Sequence, residues 1–330
     1  MSFPTLSVLC ILTGFDKKIL SYLLRKRPFF CILIALILPK LVFALLAWPF
    51  GWGVGVAGVA LLLGLFIYGF TRGWLRLIVK EESFLIEDLP KAFDGYKIVQ
   101  VSDLHIGSFA NHPEYVEKVV RLANEQNADL MVFTGDLVNI FPEEADPYID
   151  LLGKLKAKDG VFSILGNHDL YYYRKVVEKE RKIGWRLLYN EHVSISRDSE
   201  SIVLIGVEQV GKPPFESKGQ LKKAMAGVPD DAFKILLSHD PTHWRMEVLG
   251  ATDIKLTLSG HTHAAQMKIG SFSPAKWIYR EWGGRYEENG QTLYVSHGIG
   301  GNMQFRLGAW PEINVITLKG ASIYSPLQNE

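Results

Sequence analysis

Two long apolar runs open the chain, and short apolar runs of strand length fill the rest. From Phe29 to Trp48 only Lys40 is charged, and from Val54 to Phe70 no residue is. Both runs come within the roughly 17–25 apolar residues that a membrane helix needs. Pro49-Phe50-Gly51-Trp52-Gly53 between them reads as a turn. The pattern therefore predicts an N-terminal transmembrane helical hairpin, with helices at about 29–48 and 54–70 inside an anchor of residues 1–80. Beyond residue 80 the pattern changes. Glu81 to Phe93 reads as a linker or first strand, and short apolar runs then alternate with amphipathic stretches. Helices are expected from Pro113 (Tyr115, Val119 and Leu122 on one face), over Pro147–Leu155 and over Tyr171–Ile183, with Pro113 at the first helical position. Strands are expected at Trp185–Tyr189, His192–Ser196, Ile202–Val207, Gln266–Ile269, Thr292–Val295 and Glu312–Leu318. Helical stretches at Glu216–Met225 and Thr242–Leu249 frame a further strand. Residues 81–330 thus read as one α/β domain.

Composition sharpens the division. The net charge of +1 hides two opposite parts: residues 1–80 carry nine Lys/Arg against Asp16 alone, and the remainder carries 27 basic against 34 acidic residues. An acidic domain lacks the basic footprint that a phosphate backbone requires, so no nucleic-acid partner is expected. No protein partner is inferred. Lys17 to Arg27 precede the apolar block, and Arg72, Arg76 and Lys80 follow it. The positive-inside rule then puts both flanks, and the α/β domain, on the cytoplasmic side of the inner (cytoplasmic) membrane. If Lys40 keeps the first run out of the bilayer, only one span crosses and the domain faces outward. A cleaved signal peptide does not fit, because the apolar block continues to about residue 70 with no Ala-x-Ala site. Trp48, Trp52 and Trp74 stand where interfacial aromatics belong. Both cysteines, Cys10 and Cys31, precede residue 80, so no disulfide framework is available to the domain.

The candidate chemistry lies where the strand-like runs end. Asp253–Leu258 runs into Ser259-Gly260-His261-Thr262-His263. Ile98–Val101 runs into Ser102-Asp103-Leu104-His105, and Leu130–Phe133 into Thr134-Gly135-Asp136. Val161–Ile164 leads to Gly166-Asn167-His168-Asp169, and Lys234–Leu237 to Ser238-His239-Asp240. Two loop histidines alone are more often ordinary surface residues. Five strand ends of this type are another matter, because ligands of open α/β sheets gather outside the carboxyl ends of the strands. Imidazole with carboxylate suits Mn, Fe or Zn, and no cysteine competes.

The order Asp-x-His, Gly-Asp, Gly-Asn-His-Asp, His and Gly-His-x-His resembles the calcineurin-like metallophosphoesterase family, over about Lys97 to Leu318. The resemblance implies a four-layer α/β/β/α sandwich and a site for two divalent metal ions, Mn foremost, with Fe, Zn or Mg able to take the same ligands. It implies that Asp103, His105, Asp136 and His263 hold one ion and Asp136, Asn167, His239 and His261 the other, Asp136 bridging. Only a carboxylate has two oxygens and the charge to sit between two cations, and such a pair clamps a phosphoryl group for in-line attack. Neutral Asn167 keeps the site positive for an anionic substrate. His168 matches the family's non-ligand histidine, which protonates the leaving oxygen or stabilises phosphoryl charge. His297 and Arg306 flank a glycine-rich turn, Gly298 to Gly301, and are expected to contact substrate. Asn139 is a departure: many family members carry there an Asp that orients the catalytic histidine. An amide can hold the ring but cannot stabilise imidazolium as a carboxylate does. Three functions follow. The first is hydrolysis of a membrane-borne phosphoester or pyrophosphate, similar to the family members that cleave UDP-2,3-diacylglucosamine in lipid A synthesis. The second is general hydrolysis of small soluble phosphodiesters, and the third a non-catalytic membrane scaffold.

Overall fold

The structure is a computed structural model that describes residues 37–209 and 220–321. Its contacts divide the chain into two units, Met1–Tyr68 and Gly69–Glu330. In the first unit a 13-residue helix, Leu38–Phe50, is followed by the helix Trp52–Thr71. Only Gly51 separates them, at φ 91°, so the expected five-residue turn contracts to one glycine and Pro49 and Phe50 end the first helix. The two helices approach closely where the second has no side chain: a Cβ on Gly58 would lie 2.2 Å from Leu46 Cδ1. Residues 29–36 of the first expected helix lie outside the described residues. Among those described, one helix, Trp52–Leu75, is long and apolar enough to cross a membrane, with mean hydropathy 2.1 over its best window.

The second unit is built on two six-stranded sheets. The first holds β1 (Ile78–Ile86), β2 (Lys97–Val101), β3 (Leu130–Thr134), β4 (Val161–Ile164), β5 (Arg186–Leu187) and β12 (Glu312–Gly320), in the order β1-β12-β2-β3-β4-β5. The second holds β6 (Glu191–Arg197), β7 (Glu200–Gly206), β8 (Phe233–Leu237), β9 (Leu256–Ser259), β10 (Gly284–Glu288) and β11 (Gln291–Val295), in the order β10-β11-β9-β8-β7-β6. Strands β2 to β5 run parallel, as do β7, β8, β9 and β11. The central strands are buried along their whole length, and β3, Leu-Met-Val-Phe-Thr, shows the near-continuous apolar run that burial on both faces favours.

Three apolar clusters give the layer order. Between the sheets, Ile98, Val132 and Ile164 of the first meet Leu204, Ile235 and Leu258 of the second. On the outer face of the first sheet, Val99, Met131 and Phe133 pack with Val116, Val119 and Val120 of the helix Pro113–Glu125 and with Val176 and Ile183 of the helix Tyr173–Ile183. On the outer face of the second, Val203, Leu236 and Leu293 pack with Leu221, Trp244 and Val248. Helix, sheet, sheet and helix follow one another.

Several expectations are corrected in detail. Trp74, read as an interfacial aromatic, is buried in this unit and stacks on Phe109 with ring centroids 5.6 Å apart. The expected boundary at residue 80 falls within β1, whose nine residues all pair with β12, so the first strand belongs to the sheet from Ile78 on. No strand forms over Gln266–Ile269: Gln266 ends the short helical turn His263–Gln266, and Met267 and Ile269 make only isolated bridges. The helix expected at Glu216–Met225 is described only from Leu221 to Ala224, residues 216–219 lying outside the described residues. The stretch Thr242–Leu249 is a π-helical turn, Trp244–Val248.

Candidate metal centre

Each candidate side chain stands just past the end of a parallel strand. β2, β3 and β4 deliver Asp103 and His105, Asp136, and Asn167 and His168. From the other sheet β8 delivers His239, and β9 delivers His261 and His263. The two sheets are tied at this edge by bonds that cross between them. His239 Nδ1 bonds the carbonyl of Thr134 at 2.7 Å, and Gln100 Nε2 donates across to the carbonyl of Ser259 while also donating to Thr134 Oγ1 within its own sheet. His261 N donates to Asp103 Oδ1 at 2.9 Å. Turns this sharp place side chains where ordinary backbone cannot. Asp103, His105, Asp136, His261 and His263 all have φ between 43° and 73°, left-handed values that non-glycine residues adopt at a cost. Gly166 lets two of these turns touch, since a Cβ there would lie 2.2 Å from Asp136 Oδ1.

The ligand-type atoms form two groups that share one residue. Asp103, His105, Asp136 and His263 bring oxygen and imidazole nitrogen within 4.8 Å of one another, and so do Asp136, His239 and His261. His105 Nε2 lies 3.2 Å from His263 Nε2 and 3.4 Å from Asp136 Oδ2, and His239 Nε2 lies 3.3 Å from the same oxygen. Asn167 Oδ1 is 2.7 Å from His261 Nδ1, beside the second group. Two imidazole nitrogens and a carboxylate turned toward one point suit a cation better than one another. His239 Nε2 is buried with the Asp136 carboxylate beside it, at 3.3 Å.

The electrostatics agree. Burial pushes Asp103 up to about 6, against the opposing pull of His239. Burial acts on Asp136 in the same sense, but the charges of His239 and His168 hold its carboxyl well below the usual range. Burial lowers His105 to about 3 and keeps His263 well below an ordinary histidine. His239 goes the other way, to about 10, because Asp136 outweighs the burial that would neutralise it. With protein groups alone, one imidazolium balances the ionised Asp136. A divalent cation balances that charge better and takes neutral imidazoles as ligands. The residues present fit two such ions.

His168 and its partners stand beside the groups. Its ring lies edge-on to His105 at 4.6 Å, and its backbone N–H donates to Asp136 Oδ1 at 2.8 Å. Its Nδ1 lies 2.5 Å from the main-chain carbonyl of Asn139. A carbonyl only accepts, so Nδ1 carries a proton and Nε2 is left to exchange one. The Asn139 side chain is engaged elsewhere: Oδ1 accepts from Ser108 N, and Nδ2 donates to Ser108 Oγ. The expectation that the amide holds the ring is thereby corrected, for the ring is held by the backbone.

The two expected substrate contacts are enclosed. Arg306 is 1% exposed; its guanidinium donates to the carbonyls of Ala309 and Gly300 and lies 3.4 Å from His263 Nδ1. It packs behind a candidate ligand, with no surface to offer substrate. His297, 4% exposed, places Nδ1 3.3 Å from Glu312 Oε2. Three supporting residues escaped the sequence reading. Asp169 accepts from the backbone N–H of Asp136, Leu137, Val138 and Gly166, and so clamps the β3 and β4 turns together. Its place next to His168 was the available signal. Asp240 Oδ2 lies 3.7 Å and Tyr279 Oη 3.0 Å from His261 Nε2, the ring nitrogen opposite Asn167. Asp240 adjoins His239 in sequence, whereas nothing in the sequence singles out Tyr279.

Asp169→Ala leaves four buried donors without an acceptor. Each such donor costs about 1–3 kcal/mol, so a loss of roughly 3 kcal/mol or more is expected in denaturant unfolding, with reduced metal content as the Asp136 and Asn167 turns separate. Wild-type stability together with wild-type metal content contradicts the clamp.

Comparison with known proteins agrees with this geometry. The calcineurin-like phosphoesterase family model matches residues 96–265. The chain is 32% identical over 276 residues to the uncharacterized metallophosphoesterase YkuE of Bacillus subtilis, covering 77% of this chain and 91% of that one. It is 30% identical over 270 residues to an uncharacterized metallophosphoesterase of Aquifex aeolicus, covering 79% and 98%. It is 29% identical over 269 residues to a transmembrane protein with a metallophosphoesterase domain from Danio rerio, covering 77% of this chain but 60% of that one. With two cation-fitting clusters meeting at one aspartate, the chain belongs to the calcineurin-like phosphoesterase family and is a metal-dependent phosphoesterase.

Proposed function

We propose that the protein hydrolyses a phosphoester or pyrophosphate bond of a lipid-linked substrate at a membrane surface. Asp103, His105, Asp136 and His263 hold one divalent cation, and Asp136, Asn167, His239 and His261 the other. The observation that carries the hydrolytic part is the sharing of Asp136 between two buried ligand groups. Bound there, two divalent cations supply the positive charge against which a phosphoryl group transfers. Mn suits this oxygen and nitrogen donor set, as do Fe, Zn and Mg.

The chain's own residues do the rest. The Asn139 carbonyl keeps one proton on His168 Nδ1 and orients the ring, so the imidazolium gives its Nε2 proton to the departing oxygen and remains as the neutral Nδ1–H ring. Asn167 brings an uncharged oxygen, which leaves the site positive toward an anionic substrate. Asp169 holds the turns of Asp136 and Asn167 in register.

The membrane part is supported by the apolar helix Trp52–Leu75, by exposed Trp48 and Trp52, and by the naming of relatives in Danio rerio and Bos taurus as transmembrane proteins. The basic flanks favour a catalytic domain on the cytoplasmic face. A tether is most useful when the substrate shares the bilayer, because it raises the effective concentration of the site there. UDP-2,3-diacylglucosamine is one substrate of this chemistry.

The full chain reconstituted in vesicles with added Mn tests the reading, with products of lipid pyrophosphates and of bis-p-nitrophenyl phosphate followed by mass spectrometry. Higher kcat/KM on the lipid substrate is expected. Equal or better turnover of the soluble diester identifies a general phosphodiesterase, and no turnover by metal-loaded protein identifies a scaffold.

His168→Ala is expected to keep its metal and to lose kcat by ~10²–10⁴-fold on poor leaving groups. The loss should shrink as the leaving group becomes more acidic and needs no proton. An equal loss across leaving groups removes the acid role.

A further inference from the structure

Between the metal centre and β10 the chain makes a loop, residues 267–280, that exposes what the rest of the domain hides. Ile269 is 68% exposed, Phe272 42%, Trp277 78% and Ile278 71%. Elsewhere among the described residues of Gly69–Glu330, only Phe70, Leu85 and Met246 are large hydrophobics so exposed. The four lie within ten residues, and Phe272 and Trp277 touch ring edge to ring face at 5.5 Å. Clustered exposed apolar side chains mark an interaction surface.

The charge around them identifies the partner. Residues 267–280 contain Lys268, Lys276 and Arg280 and no acid, on a domain where acids outnumber bases. Glu281, next in sequence, is buried and shared between two bases, bonded by Arg245 at 2.7 Å and 2.9 Å and 3.6 Å from Arg280 Nε, so one carboxylate faces two guanidinium groups and Lys268 and Lys276 keep the loop positive. Basic side chains beside exposed tryptophan and isoleucine form the pattern that inserts at the headgroup level of an anionic bilayer.

The loop is also pre-shaped. Ile269 and Phe272 exchange both backbone bonds across a tight turn with Gly270 at φ 57°. Ser273 caps the turn Pro274–Trp277 by accepting from Ala275 N, and its hydroxyl donates to the carbonyl of Ala264. Lys268 N bonds the carbonyl of Leu307, which fixes the base of the loop. A surface already ordered loses little freedom when it docks. At its far end Tyr279 reaches His261, so the loop and the candidate metal centre are one contact apart.

We infer that the 267–280 loop docks on an anionic lipid surface and sets the metal centre against the headgroups. This deepens the proposed function and rests on its membrane reading. A lipid-borne phosphoryl group then reaches the site while its acyl chains stay in the bilayer.

The test uses the full chain in vesicles, with Cys10 and Cys31 replaced by serine and one new cysteine carrying an environment-sensitive bimane. Labels go at Trp277→Cys and Ile278→Cys, with exposed Lys154→Cys as the reference. In vesicles containing phosphatidylglycerol, the labels at 277 and 278 should shift to the blue and be quenched by nitroxide lipid, while the label at 154 is not. Replacing phosphatidylglycerol with phosphatidylcholine, or introducing Lys276→Glu with Arg280→Glu, should reduce that quenching. Quenching at 277 and 278 no greater than at 154 overturns docking. So does a blue shift that appears without lipid and fades on dilution, which marks a protein contact. Neither readout depends on turnover. A chain that docks but prefers a soluble diester refutes the substrate reading alone, and one that prefers lipid without docking refutes the loop alone.

Discussion

Asp136 carries an ionised carboxylate into the join between two sheets, where water cannot reach it. Its Oδ2 lies 3.4 Å from His105 Nε2 and 3.3 Å from His239 Nε2, its Oδ1 accepts from the His168 backbone, and its own backbone lies in the left-handed region. A buried charge of this kind is tolerated only when opposite charge lies beside it. His239 provides that compensation by holding its proton up to about 10, while burial keeps His105 neutral. Everything else at the strand ends serves to keep this arrangement in place, and a pair of cations satisfies it more completely than protons do.

Around that carboxylate the fold spends conformational freedom. Five of the candidate ligands sit at positive φ, and such strain persists only where the surroundings over-determine the backbone. The surroundings here are specific. Asp169 collects four backbone donors from two turns, and Gly166 admits a contact that no larger residue allows. Arg306, Glu312 and His297 then pack behind the ligand layer.

The part of this that could be read from sequence is the part set by local pattern. An apolar run followed by Asp, His or Asn states where a strand ends and what it presents, so the five strand ends of the site and the candidate ligands they carry were legible, whereas the order of the strands in their sheets was not. What depends on tertiary packing was not. Trp74 reads as a membrane-interface aromatic until Phe109 is seen stacked on it. Arg306 reads as a substrate contact until its guanidinium is seen turned inward, onto the carbonyls of Gly300 and Ala309 and toward His263. Asn139 reads as a side chain that meets the His168 ring, yet its carbonyl holds that ring, and a carbonyl carries no residue-type signal. The segment Gln266–Ile269 has strand composition but no partner strand, and its apolar side chains instead join an exposed loop.

The bridging role of Asp136 is tested most directly by metal stoichiometry in Asp136→Asn, measured by elemental analysis of protein loaded with Mn. An amide keeps the shape and removes the charge that two cations share. Wild-type chain should bind about two ions, and the variant fewer than about one, with turnover lost in parallel. Two tightly held ions in Asp136→Asn would contradict the account.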